Sequence, residues 1–233
     1  MPSESFLEIG AGDLALSTEL LRFFSHGLAV DFTDDLLESY GKIPSPARQN
    51  LRVRTADVMT DDIAEQFDCV IACEVMEHID DDLLFLARVH DLLKAGGQAV
   101  ISVPARQKFW SVHDELVGHV RRYEKSELQE KGKQAGFERI VIVSYGYPWV
   151  NLLRLPRIWL ARSGMSERRE WSQQQQTSMS NHRQIPPWLA NSALPLMLNR
   201  ITVFPFALLS RLFSSFDLSN GYVITMQKAS SRE

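Results

Sequence analysis

The chain has 233 residues, 45% of them hydrophobic and 23% charged, with a net charge of −4, ordinary values for a folded globular protein and unlike those of a disordered or fibrous one. That length suits one α/β domain with an extension and suffices to bury a full core. No stretch of about 18 apolar residues is free of charge or proline, so no membrane span is expected, and no basic segment followed by an apolar one opens the chain, so no secretory signal is expected.

Short apolar runs alternate with helical patterns through the first 150 residues. The runs predict strands at Ser5–Ile9, Gly27–Asp31, Leu51–Ala56, Phe67–Cys73, Gly97–Val103 and Arg139–Ser144. Between them lie helical patterns at Leu14–Phe24, Asp34–Gly41, Asp80–Leu93 and Lys125–Ala135. "KAGG" (94–97) reads as a helix end that launches a strand, and Ser126 as a helix start closed by Gly136. Such alternation implies a parallel sheet wound on both faces, which binds ligands at the carboxyl ends of its strands. The only cysteines, Cys69 and Cys73, would sit about 13 Å apart on one strand face, too far for a disulfide. They read as core residues of a protein of the reducing cytoplasm.

After "YGYPW" (145–149) the rhythm breaks. Residues 151–216 carry eight Arg, no Lys and only two acids, Glu167 and Glu170, a net +6 against −10 for the remainder. Apolar–Arg helical patterns at Leu152–Arg162 and Pro187–Phe213 flank "WSQQQQTSMSNHRQ" (171–184), whose polar, low-complexity run predicts a mobile loop. "NGYVITMQK" (220–228) reads as a last strand after a turn.

"FLEIGAGDLALS" (6–17) is an apolar strand running through Gly10-Ala11-Gly12 into a helix, the shape of a nucleotide cradle. Gly10 and Gly12 admit close backbone approach, and the helix start offers N–H donors. Asp31, 19 residues after Gly12, completes a dinucleotide fingerprint, although a plain tight turn would look similar. Three features oppose a nicotinamide dinucleotide. Glu8, just before the first glycine, would repel a pyrophosphate but suits an ammonium or sulfonium. No Tyr is followed by Lys four positions later, and no room remains for a separate substrate domain.

These residues resemble the class I S-adenosylmethionine-dependent methyltransferases. "LEIGAG" is similar to their first motif, "AVDFTDD" to the end of their second strand, "TADVMT" to the end of the third, "FDCVIACEVMEHIDD" to the fourth and its exit, and "LLKAGGQAVISVP" to the fifth. The resemblance covers about residues 1–150 and the final strand. It implies S-adenosylmethionine held by Glu8, Gly10, Ala11, Gly12, Asp31, Phe32, Asp57, Val58 and Glu74, with Asp31 on the ribose hydroxyls and Asp57 on the adenine amino group. Read as residues alone, Asp31 could cap a helix, Asp57 a turn, and Glu74 sit solvated in a loop. The family usually has a third glycine where this chain has Leu14. It also has helices ahead of the first strand, where this sequence has only "MPSE". Either the sequence begins late or another element serves as lid, and 151–216 is the candidate.

An oxygen acceptor must lose a proton, so a base near neutral pKa is sought. His78 in "EVMEHI" is either that base or a helix-start residue shaping the pocket wall. "HDELVGHVRRY" (113–123) concentrates Asp114, His119, Arg121, Arg122 and Tyr123 in one loop. It resembles the "GHxRRY" element of a bacterial subset of these methyltransferases. His119, His78 and Tyr123 are therefore the catalytic candidates, and Arg121, Arg122 and Asp114 the acceptor contacts; the spacing fixes no metal site.

The expected fold is Rossmann-like α/β: a seven-stranded, mostly parallel sheet with helices on both faces and an antiparallel last strand, formed by 1–150 and 217–229, with 151–216 a mainly helical insertion. The expected function is methyl transfer from S-adenosylmethionine to a small or lipid-like acceptor, at oxygen. A nucleotide-dependent oxidoreductase and a non-catalytic S-adenosylmethionine-binding protein are the alternatives. The acidic core argues against nucleic acid. A cytoplasmic protein is expected, with 151–216 either a lid or a contact with an anionic membrane surface. The acceptor's identity and the oligomeric state are not encoded in any motif.

Overall fold

A computed structural model describes residues 4–153, 200–213 and 216–230. Seven strands form one sheet: β1 (Ser5–Ile9), β2 (His26–Asp31), β3 (Leu51–Thr55), β4 (Phe67–Cys73), β5 (Leu93–Pro104), β6 (Glu138–Tyr145) and β7 (Gly221–Gln227), in the order β3-β2-β1-β4-β5-β7-β6. β1 to β5 pair in parallel. β7 runs the other way along β5: Ala105 N–H donates to Asn220 O at 2.9 Å, whereas Lys228 N–H donates to Gly97 O at 2.9 Å. Among the described residues the helices are α1 (Ala15–Leu20), α2 (Asp35–Lys42), α3 (Ser45–Arg48), α4 (Asp82–Asp91), α5 (Val112–Val117), α6 (Lys125–Gln134), α7 (Trp149–Leu152) and α8 (Arg200–Leu212).

All six strands expected in the first 150 residues form. β5 starts four residues early, so "KAGG" lies inside a strand rather than between helix and strand. The reason is a register shift against β4 between Phe67 and Cys69, which absorbs Gly96 at φ +77°. Cys69 is buried, but Cys73, expected in the core, is exposed at the carboxyl end of β4. The segment 113–123, expected as a loop, begins as α5. Ser111 and Asp114 form a capping box at its start, and Gly118 in the left-handed region at φ 81° ends it.

The chain divides into two compact units. The first comprises Met1–Pro104, Val120–Ile142 and Val223–Glu233. In it Phe6, Leu14, Ala29, Leu36, Leu51 and Ile71 form a buried cluster. Leu14 occupies the position where the resembled family has glycine, and its backbone is left-handed (φ 64°, ψ 15°). That conformation costs a leucine roughly 1–2 kcal/mol. Its side chain is 0% exposed, and burying a leucine is worth about 2–5 kcal/mol against alanine, so the packing outweighs the backbone strain.

The second unit comprises Ala105–His119 and Val143–Tyr222. Its described residues are tied by aromatic contacts, Trp149 on Phe206 at 4.7 Å and Tyr147 on Phe213 at 5.1 Å between ring centroids, and by Asn151 Nδ2 donating to Leu218 O at 2.8 Å. The helical patterns expected at Leu152–Arg162 and Pro187–Phe213 fall largely outside the described residues, and the loop expected at 171–184 falls wholly outside them. Within the latter pattern, α8 is helical. Among the described residues no helix is long and apolar enough to cross a membrane.

Candidate active site

The sheet order reverses between β1 and β4, which is where a doubly wound sheet opens a crevice. Ile9 pairs with both Val30 and Ala72, and Asp31 with Thr55, so the carboxyl ends of β1 to β4 are level. The loops leaving those ends hold most of the sequence-predicted cofactor residues.

Gly10 and Gly12 make the turn after β1 with φ of +73° and +49°. A Cβ on Gly10 would come within 2.5 Å of Val75 Cγ2, so the position requires glycine. Gly10 and Ala11 donate their N–H groups to Val30 O at 2.9 and 3.1 Å. Ala11 is buried. Gly12 N–H instead donates to Asp31 Oδ2 at 3.0 Å, while Asp31 Oδ1 accepts from Thr33 N–H at 3.0 Å and Thr33 Oγ1 at 2.9 Å. Three of the roughly four acceptor sites of the Asp31 carboxylate are thereby engaged, and its orientation toward the glycine turn is fixed. Phe32, beside it, is 45% exposed and offers an apolar ring surface.

Glu8 lies under this turn, 4% exposed. Its carboxylate accepts a short hydrogen bond from Ser17 Oγ on α1. Burial pushes the Glu8 carboxyl up to about 7, with Asp13 and Asp31 adding repulsion and Ser17 acting in the opposite sense. A cation placed beside the turn would reverse that balance. This is the fit expected for a ligand carrying a sulfonium and an ammonium, since a second anion would meet Glu8 and Asp31 together.

Asp57 begins the loop after β3. It is exposed, and its Oδ1 accepts from Met59 N–H at 2.9 Å. Val58 is buried. Glu74 leaves β4 at φ 56°, a strained setting for a residue with a Cβ. Ser102 on β5 holds it there from two sides: Glu74 N–H donates to Ser102 O at 3.0 Å, and Ser102 Oγ donates to Glu74 Oε1 at 2.9 Å. His78 closes the 3₁₀ turn Met76–His78 and is half-buried.

The "GHVRRY" stretch divides by role. Val120 N–H donates to Glu77 O at 2.9 Å and Tyr123 N–H to Pro104 O at 3.0 Å. Tyr123, expected as a catalytic candidate, is 0% exposed, with its hydroxyl 3.2 Å from Met76 O and 3.1 Å from Asp82 Oδ2. Desolvation and the Asp82 charge hold its phenol well above the usual tyrosine range, and its hydroxyl is tied to Met76 O and Asp82. Arg121, expected as an acceptor contact, is committed to Asp82 Oδ2 at 2.9 Å and Asp80 O at 2.7 Å. Asp82 also accepts from Lys131 Nζ at 2.7 Å, so one buried carboxylate joins α4, α6 and this stretch. Arg122 is buried at 7% exposure.

In the second unit, Asp114 was expected to contact the acceptor but is 0% exposed. One oxygen accepts from Ser111 N–H and Oγ, at 2.8 and 3.1 Å, and the other lies 3.1 Å from His119 Nδ1. The aspartate therefore orients the histidine. With Nδ1–H directed at the carboxylate, the basic lone pair of the imidazole lies on Nε2.

Sequence reasoning missed Ser17, Thr33 and Ser102, the residues that hold Glu8, Asp31 and Glu74. "DFT" carried a usable signal for Thr33, a hydroxyl two residues beyond an aspartate. Ser17 and Ser102 had none.

A glycine turn feeding a helix at the topological switch of this sheet, with Glu8 and Asp31 in β1 and β2 and Asp57 and Glu74 beyond β3 and β4, is the arrangement expected of an S-adenosylmethionine-dependent methyltransferase. Residues 2–141 match the family model described as "Methyltransferase domain", and the chain belongs to that family. Family membership also decides between the two nucleotide readings of the glycine fingerprint. Among curated proteins the chain is 33% identical over 104 residues to a ubiquinone biosynthesis O-methyltransferase of Ruegeria pomeroyi, covering 41% of this chain and 39% of the relative. It is 26% identical over 104 residues to the protein of the same name from Xanthomonas campestris pv. campestris, covering 44% of each. The match thus spans about two fifths of those relatives' length. Among solved structures, the fold is shared with phosphoethanolamine N-methyltransferase 2 of Haemonchus contortus in complex with S-adenosyl-L-methionine (TM-score 0.59, 17% identity, 97% of this chain and 49% of that one). It is also shared with a Bacillus halodurans protein described as a putative methyltransferase (TM-score 0.58, 15% identity, 99% and 94%).

Proposed function

We propose that this protein transfers a methyl group from S-adenosylmethionine to an oxygen of a small, lipid-like acceptor. The observation that carries the cofactor half is the glycine turn set between two buried carboxylates, Glu8 and Asp31, at one sheet edge. In this reading Asp31 accepts from a ribose hydroxyl at its remaining acceptor site, Asp57 and Val58 meet the adenine beside Phe32, and Glu8, Gly10, Ala11, Gly12 and Glu74 surround the methionine portion. When bound, the cofactor supplies an activated methyl on a cationic sulfur. The chain's own task is to hold the acceptor oxygen and take its proton, and Asp114-oriented His119 is the base we assign. Oxygen as target is supported by the curated relatives, whose names describe O-methyltransferases of ubiquinone biosynthesis.

Binding of S-adenosylhomocysteine tests the reading directly. The wild-type protein is expected to bind it in calorimetry, and Asp31→Ala to weaken that binding by about 1–3 kcal/mol through loss of the charged hydrogen bond to the ribose. No binding by the wild type refutes the proposal. Binding without transfer to any acceptor in a lipid extract selects a non-catalytic binding protein.

The lipid character of the acceptor draws on the second unit. Phe204, Phe206, Leu208 and Leu212 of α8 and the nearby Phe216 are 48–65% exposed, in a region carrying eight Arg among 151–216. An exposed apolar helix in a segment whose sequence is rich in Arg suits the interface of an anionic bilayer. Sedimentation with anionic vesicles at low salt is expected to pull the protein down, and high salt or neutral vesicles to release it. Absence of binding to anionic vesicles at low salt removes the membrane contact.

A further inference from the structure

Residues 57–63, which carry Asp57, belong to no strand or helix. The segment is closed on itself: Asp57 N–H donates to Asp61 Oδ2 at 2.9 Å, and Thr60 and Asp61 N–H donate to Asp57 O at 3.2 and 2.8 Å. Two of its main-chain carbonyls are reached by one side chain from elsewhere. Arg88 Nη2 donates to Asp61 O at 2.8 Å and Arg88 Nε to Val58 O at 3.3 Å. The planar guanidinium fixes both carbonyls relative to each other, which a single-point donor cannot do. Arg88 itself stands on a firm base. Helix α4 is capped by Asp81 accepting from Leu84 N–H at 2.9 Å, and buries Phe85, Leu86 and Val89. The helix therefore sets the loop at these two carbonyls, beside Arg54 Nη1 of β3, which donates to Asp62 O at 2.8 Å.

We propose that Arg88 is a positioning residue for the purine end of the cofactor site, and that by bridging Val58 O and Asp61 O it makes the site read adenine. The inference rests on the cofactor reading above. Adenine places a donating amino group at C6, which the Asp57 carboxylate accepts. Hypoxanthine places a carbonyl oxygen there, which meets the carboxylate as a second acceptor and leaves both unpaired. A loop released from α4 loses the attraction and the rejection together.

The test is calorimetry with S-adenosylhomocysteine and its inosine-base counterpart on the full chain, for wild type, Arg88→Met and Arg88→Lys. Wild type is expected to prefer the adenine ligand by about tenfold or more, the worth of one charge-assisted hydrogen bond. In Arg88→Met the adenine ligand weakens by about tenfold while the inosine ligand changes by no more than about twofold, and Arg88→Lys restores part of the preference. A retained preference in folded Arg88→Met, or equal loss for both ligands, overturns the proposal. Should Arg88→Met not fold, an Arg88→Lys protein with wild-type preference and unchanged affinity overturns it, and one with a reduced preference supports it. A wild type that binds neither ligand overturns the cofactor reading itself; one that binds both equally overturns only the adenine role.

Discussion

Replacing His119 with alanine is expected to lower methyl transfer by about 10²–10⁴-fold, the usual contribution of a positioned general base. Binding of S-adenosylhomocysteine should stay within about twofold, since no cofactor contact is removed. The assay is transfer of label from S-adenosylmethionine into a bacterial lipid extract, which serves as the acceptor pool. Asp114→Asn sharpens the test. Asp114 Oδ1 lies 3.1 Å from His119 Nδ1, and an asparagine able to present its amide there stabilises the opposite tautomer, with the basic lone pair on Nδ1. That variant should therefore lose much of the same activity while its fold survives, because the Ser111 side of the capping box can be kept. Full activity in His119→Ala would make the dyad an ornament of α5 and return the acceptor's proton to another group.

The second large effect belongs to Glu8. Its carboxyl sits near 7 in the folded protein and at 4.5 in the unfolded chain. Between those values the folded state holds a proton that the unfolded state has released, so stability is full below pH 4.5 and falls as pH rises through about 7. The loss amounts to about 3 kcal/mol at pH 8 and above. Glu8→Gln keeps the neutral shape and removes the titration. It should match the wild type near pH 5 and exceed its unfolding free energy by up to that amount at pH 8.5, measured by urea denaturation across the range. Cofactor affinity should move in the other direction. A sulfonium and ammonium are best held by the ionised carboxylate, so wild-type binding tightens as pH rises toward 8, whereas Glu8→Gln binds weakly at all pH values. Parallel stability curves for the two proteins would show that Glu8 is ionised throughout.

Much of this was readable from the chain because strands and glycine turns are local. The six early strands follow from short apolar runs between turn residues, and Gly10, Gly12, Asp31 and Asp57 sit where strand ends deliver them. What the residues did not disclose depends on distant partners. Arg121 and Tyr123 read as reactive groups next to His119. Both side chains are tied to Asp82, about 40 positions earlier in sequence. Asp114 is placed differently from expectation for a similar reason. As a charged residue in an assumed loop it looked available, but α5 turns it inward, where capping and the histidine claim both its oxygens. Cys73 erred the other way, since strand position alone does not reveal which end of a strand leaves the core.

Leu14 has a consequence beyond its own stability. A glycine there would leave the turn many backbone states in the free protein, and a ligand would have to remove that freedom on binding. With a leucine side chain at 0% exposure locking the left-handed conformation, the ordering is completed during folding instead. Ligand association then starts from a receptor whose loop entropy has already been spent, so the same contacts yield tighter binding and a slower release.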